Sequence, residues 1–325
     1  MTMRKLGWLI GVAAVSVTVV FSAAAQTWPA RPIHLVVGFG AGGPSDTIAR
    51  LMAAGMSESL GQQVVVENKP GAGSNIAAEL VAKAKPDGYT LMIGSVGPLS
   101  VNDVLYSNLP FDPVKDFTII SMTAETPLVL GLGTDVPAKT LKEFVDYAKA
   151  KNPPINYASP GVGVPPHFAS EMFLSKAGFA STHVPYKSGA QVIDALMKNE
   201  VQWAFDVPVT MTAQHKAGKL RAVATAANKR WMGIEDVPTF AESGYPDMEI
   251  VGWFALCGPA GLPQDMVQRL NVETAKSLAT PDSKQRLTNL GFVQTPTTPA
   301  QAAAFIAAER KRWVAVAKDN NIKVE

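Results

Sequence analysis

The stretch Gly38-Phe39-Gly40-Ala41-Gly42-Gly43-Pro44-Ser45-Asp46-Thr47-Ile48-Ala49-Arg50 decides how this chain is read. An apolar run, Ile33-His34-Leu35-Val36-Val37, leads into it and reads as a short buried strand. Beyond it, Ile48, Leu51, Met52 and Met56 mark one face of a helix. Between the two lie four glycines in six residues. Glycine lacks a Cβ, so such a turn lets backbone N–H groups come close to a ligand. Ser45 or Asp46 is placed to cap the helix, and Pro44 suits its first turn. A helix start adds free N–H donors and a partial positive charge, which completes an anion-binding corner.

Two kinds of anion fit that corner. Gly38, Gly40 and Gly43 satisfy G-x-G-x-x-G, and Glu67 closes the next apolar run, Val64-Val65-Val66, as in a dinucleotide-binding unit. A small free anion is the other choice, and a tight turn without a ligand is the plainest reading.

The N-terminus bears on this choice. Arg4-Lys5, an apolar run from Leu6 to Phe21 and Ser22-Ala23-Ala24-Ala25 are the three parts of a secretory signal peptide. Residues 1–25 are read as that peptide, cleaved after Ala25, with an uncleaved membrane anchor as the alternative. Cleavage removes two basic residues and no acid, leaving 27 of each sign. A formally neutral chain without basic runs gives no reason to expect nucleic acid as a partner. One cysteine, Cys257, excludes an internal disulfide; within Trp253-Phe254-Ala255-Leu256-Cys257 it reads as a buried thiol.

Further along, the pattern alternates. A helix over 76–84 follows the second glycine turn, Pro70-Gly71-Ala72-Gly73, and a strand over 89–93 runs into Gly94-Ser95-Val96-Gly97. Strand, helix, strand, helix, strand predicts a parallel sheet with ligands beyond its carboxyl edge. The turns 38–46 and 94–98 should therefore share one rim. After a strand over 118–122, a second block over 127–227 repeats the style, with strands over 128–132, 155–158, 182–186, 201–205 and 220–225. Its third small-residue turn, Ser159-Pro160-Gly161-Val162-Gly163-Val164-Pro165-Pro166, precedes a helix over 167–176. Helices are also expected over 141–150, opened by a Thr140/Glu143 capping box, over 190–198, 264–279 and 299–320, and near Ser283.

Eight segments carry a family resemblance: the opening stretch, Val64 to Glu79, Lys85 to Gly94, Leu109 to Phe117, Asn156 to Phe168, His183 to Gln191, Gly218 to Ala226 and Asp236 to Pro246. In that order they resemble the periplasmic solute receptors of tripartite tricarboxylate transporters, the Bug family, from about Trp28 to the C-terminus. The resemblance implies a type II periplasmic binding protein, with two α/β domains around a ligand cleft. Residues 26–126 plus 228–325 would form the first domain and 127–227 the second. It implies a small carboxylate ligand (aliphatic, aromatic or an acidic amino acid), one large and one small integral membrane subunit as partners, and no cofactor. Carried over residue by residue, it points to Phe39, Ala41, Gly42, Ser45, Asp46 and Ser95 on one side of the cleft. Ser159, Gly161, Val162, Gly163, His167 and Asp206 would stand on the other. Pro44 and Ser45 depart from the family's usual Gly or Thr, and Pro44 removes one N–H donor.

The residues themselves weigh on the alternatives. A dinucleotide-dependent oxidoreductase accounts for the glycines and Glu67 but not for export. No G-x-S-x-G supports a hydrolase. His167 and Glu171 are one helical turn apart, yet no H-E-x-x-H supports a metal site. The rim turns hold no Lys or Arg, so an acid there would be met by N–H groups, hydroxyls, helix starts and water, not by an Arg50 or Lys187 fork. Asp46 would repel a bare carboxylate and is read as a cap, a ligand contact or both. A monomer is expected.

Overall fold

Alternating apolar runs and helical faces give two sheets joined by continuous strands. In a computed structural model, residues 28–324 are described; the signal-peptide reading of 1–25 lies outside them. The first part runs β1 (Ile33–Val37), α1 (Pro44–Leu60), β2 (Val64–Asn68), α2 (Asn75–Ala82), β3 (Thr90–Ser95), α3 (Asn102–Leu105) and β4 (Phe117–Pro127). β1 pairs in parallel with β2 and β3, as the alternation predicts. The second part runs β5 (Val129–Leu132), α4 (Leu141–Lys149), β6 (Ile155–Ser159), α5 (Pro165–Ala177), β7 (Ser181–Pro185), α6 (Gly189–Met197), β8 (Trp203–Asp206), α7 (Pro208–Lys216) and β9 (Arg221–Thr225). The chain then returns through β10 (Val251–Pro259), α8 (Gln264–Ala279), α9 (Pro281–Asn289), β11 (Val293–Gln294) and α10 (Pro299–Asp319).

The first sheet has the order β11-β4-β10-β3-β1-β2 and the second β7-β6-β8-β5-β9. Among the strands and α-helices, α3, α7, β10 and β11 went unread in the sequence. β10 is inserted antiparallel between β3 and β4, so its apolar run is a central strand, and burial pushes Cys257 up to about 12. α7 begins at Pro208, whose missing N–H costs nothing in a helix's first turn.

The chain passes between the sheets as strand, not as loop. β4 continues to Pro127, paired with Val251, and β5 starts two residues later in the other sheet. On the return, Ala226 N–H donates to the Leu128 carbonyl at 2.7 Å and Ile250 N–H to the Ala226 carbonyl at 2.9 Å. Residues between 226 and 250 make contacts with the second sheet. Thr225 bridges Thr239, and the Phe240 ring packs on Phe173 at 5.3 Å and 75°. Edge-to-face aromatic contacts of this kind are favourable beyond the area they bury. α10 rests on both parts: Trp313 packs on Phe168 of α5 at 5.4 Å, and buried Glu309 accepts from the indoles of Trp253 and Trp313 at 3.2 and 2.8 Å.

Candidate functional site

The carboxyl edges of the parallel strands face one cleft between the two sheets, a cavity of about 830 Å³. The first rim is the turn after β1. Its helix is capped by Gly43, not by Ser45 or Asp46. The reason is geometric: Asp46 lies in the first turn and reaches back, accepting from Gly42 N–H at 2.8 Å. Arg50 donates to both of its oxygens, at 2.9 and 3.0 Å, and Asn68 to Oδ1 at 2.9 Å. Burial alone would raise this carboxyl; the Arg50, Gly42 and Asn68 bonds outweigh it and hold it below the ordinary range. Asp46 is thus buried behind the turn and does not border the cleft. The α1 ladder begins where Thr47 N–H meets the Gly43 carbonyl at 2.9 Å. Pro44 has no N–H, so the backbone donors of Ser45 and Asp46 precede the ladder.

Phe39, Ala41, Gly42, Ser45 and Ser95 border the cleft from this side. Ser95 ends β3, followed by a π-helical turn over Gly97–Val101. Gly73, from the second glycine turn, and Tyr106 join them.

From the other side, Val162, Gly163 and Asp206 border the cleft, whereas Ser159 and His167 are buried behind that rim and Gly161 is half-buried and does not line the cavity. Ser159 is fully buried, its hydroxyl 2.6 Å from the Gly161 carbonyl and 2.7 Å from His183 Nε2. His167 Nδ1 accepts from Gly163 N–H at 3.1 Å, so its proton is on Nε2. The His167 and His183 rings stack at 4.1 Å, with Tyr157 on His183 at 4.7 Å. Burial, then His183, lowers His167 to about 3; burial lowers His183 to about 4. Both are neutral at pH 7 and hold the rim turn from beneath. Gly163 needs its glycine twice over: φ is +74°, and a Cβ would come within 2.6 Å of Leu105 Cδ1 from α3. His167 Nε2 is 3.9 Å from Glu171, and no group of ligating residues that could hold a metal is found among the described residues.

Among the described residues, two charged side chains border the cleft, Lys187 and Asp206. Asp206 ends β8 and is 4% exposed. Its Oδ1 accepts from Val207 N–H at 2.7 Å, while Oδ2 accepts from no described residue. Burial pushes the carboxyl up to about 6, against the pull of Val207 N–H and Thr210. Arg50 does not border the cleft, being committed to Asp46. Glu67 does not either: it is 2.5 Å from His34 Nδ1 and 3.4 Å from Lys69, so the acid of the dinucleotide reading is engaged elsewhere.

The sequence reading missed the wall between the rims. Leu128, Trp253, Phe254, Leu290 and Phe292 border the cleft, from the crossing strands and the α9–β11 connection. The apolar runs holding Trp253 and Phe254 were visible; what placed them here was pairing between strands more than 120 residues apart, Trp253 opposite Glu125.

Two sheets joined by paired strands, with a cleft at their carboxyl edges, define a two-part solute-binding protein. The family model "Tripartite tricarboxylate transporter family receptor" matches residues 48–322, and the chain belongs to that family. Its fold is that of solved periplasmic binding proteins of this family. The chain is 32% identical to BugT of Bordetella pertussis over the whole of both chains. Among solved structures, it resembles an R. palustris protein with adipate at 33% identity and TM-score 0.81, over 91% of this chain and 99% of that one. MatC from Rhodopseudomonas palustris, with bound malate, resembles it at 34% identity and TM-score 0.77, over 89% and 99%. The family is one of solute-binding receptors, which is not an enzyme class. No described helix is long and apolar enough to cross a membrane.

Proposed function

We propose that this receptor is exported by cleavage after Ala25, closes as a monomer on a small carboxylate, and passes it to one large and one small integral membrane subunit without chemical change. Its first domain would comprise residues 26–126 and the chain beyond 250, and its second 127–250. The carboxylate would sit on the first rim, against Ala41 to Ser45 and Ser95, with Phe39 at the lip. On the second rim, Val162, Gly163 and Asp206 would touch ligand, and Ser159, Gly161 and His167 would hold that rim in place.

One observation carries the reading. The charge of Asp46 is consumed inside the turn, by Gly42, Arg50 and Asn68. That leaves the α1 start with open donors and no acid facing the cleft, a setting suited to an anion. Adipate and malate in the similar structures support the same chemistry.

Thermal unfolding of the purified protein against small carboxylates, with NAD included, tests it. An acid that binds only the folded state adds about 2.7 kcal/mol at 100 times its dissociation constant. A rise in midpoint with one acid class is expected. A rise with NAD alone would replace the receptor reading with the dinucleotide one.

A further inference from the structure

The two rims of the cleft are chemically opposite. The first offers the α1 start and the Ser45 and Ser95 hydroxyls. On the second, three helices begin, each with proline in its first turn or a carboxylate beside its start. α5 starts with Pro165 and Pro166, which have no N–H, and the next two N–H groups both go to the Val164 carbonyl, at 3.0 and 3.1 Å. α7 starts with Pro208, and Thr210 and Met211 N–H go to the Val207 carbonyl. α6 starts at Gly189, but Asp206 Oδ2 lies 2.7 Å from where a Cβ on Gly189 would be, so a carboxylate already stands beside that start. This carboxylate is buried and borders the cleft, with one oxygen accepting from no described residue. A wall of Leu128, Trp253, Phe254 and Phe292 also borders the cleft.

We propose that the cleft selects one class of acid, with a carboxylate at one end of an apolar body and an ammonium group at the other, the ammonium donating to Asp206 Oδ2. The inference rests on the carboxylate reading above and narrows it. A second carboxylate in place of the ammonium would meet a like charge in a buried setting. A methyl group there would leave Oδ2 without a donor. An ammonium supplies both the donor and the opposite charge. Burial pushes the carboxyl up to about 6, and an ammonium beside it favours the ionised form.

Two matched trios test this by calorimetric titration: hexanoate, 6-aminohexanoate and adipate, then 4-methylbenzoate, 4-(aminomethyl)benzoate and terephthalate. Within at least one trio, the ammonium acid should bind tenfold or more tighter than both others. Asp206→Asn should erase that preference. Lys187→Ala should leave the preference in place, and thermal unfolding of both variants confirms folding. If a dicarboxylate binds tightest and Lys187→Ala abolishes its advantage, the inference is overturned and the carboxylate reading stands. If no acid of either trio binds while another small carboxylate does, the inference is overturned and the carboxylate reading stands; if no small carboxylate binds, both fall.

Discussion

Each rim of the cleft carries one buried aspartate, and the two are used in opposite ways. Asp46 is 2% exposed and Asp206 4%, so burial does not separate them. Partners do. Asp46 accepts from Gly42, Arg50 and Asn68, and its carboxyl is lowered; Asp206 accepts from Val207 N–H on one oxygen, and burial raises it. A buried charge with its bonds made holds a turn in shape, whereas one with a bond unmade lowers stability and is available to a ligand. A residue's chemistry in a cleft is therefore read from its unspent hydrogen-bonding capacity.

The largest effect should come from breaking the satisfied member. Asp46→Ala strands the Gly42 N–H and takes one of two acceptors from the Asn68 amide, which keeps the Phe39 carbonyl at 3.0 Å. The Arg50 pair adds little, because the Arg50 side chain is 55% exposed and screened. A loss of about 2–3 kcal/mol is expected from the buried bonds, measured by urea unfolding, together with weaker acid binding as the rim loosens. A variant as stable as the parent would show that the turn does not depend on Asp46.

Asp206→Asn should act in the opposite direction. A folded pKa of about 6, above the ordinary aspartate value of 3.8, means that the folded protein holds this proton more tightly than the unfolded chain. The stability contribution is then greatest below 3.8, falls as pH rises to about 6, and stays low above. Removing the charge should raise stability at pH 7 by about 1–3 kcal/mol, from about 1.4 kcal/mol per pKa unit, and by nothing at pH 3.5. Urea midpoints at the two pH values decide it; a destabilised variant at pH 7 would mean Asp206 has partners that the comparison denies it.

The histidine stack gives the second rim what Asp46 gives the first. His167→Phe keeps a ring against His183 but leaves Gly163 N–H without its acceptor, for a loss of about 1 kcal/mol. The pH profile sharpens the point. With folded values of about 3 and 4, the two histidines are protonated in the unfolded chain first. Their contribution is full above about 6.5 and falls with pH below it. His167→Phe should flatten that acid loss, and Asp206→Asn should steepen it between pH 6 and 4. Parallel slopes in all three proteins would break the account.

Local signals made the turns and helices of this fold legible. Gly38 to Pro44 showed a strand-to-helix corner, and Thr140 with Glu143 showed a helix start that the structure keeps, Glu143 N–H donating to Thr140 at 3.2 Å. What local signals left open was decided by distant partners. Whether Asp46 faced the ligand or the helix depended on Asn68 and Arg50 as well as Gly42. That Ser159 and His167 lie behind the rim depended on His183, a strand away. β10 was hidden because its strand neighbours, β3 and β4, lie far back in the chain.

Lys187 supplies the smallest and most discriminating change. It is exposed, and Gln191 receives its backbone N–H, not its ammonium. Lys187→Ala should therefore move the unfolding free energy by less than about 0.5 kcal/mol, as for other surface changes. If first-rim donors hold the acid, affinity for the best carboxylate should change less than threefold. Any residual effect should vanish at high salt, because an exposed charge acts across a screened distance. A tenfold loss that survives high salt would place the carboxylate at the second rim, reversing the roles of the two rims.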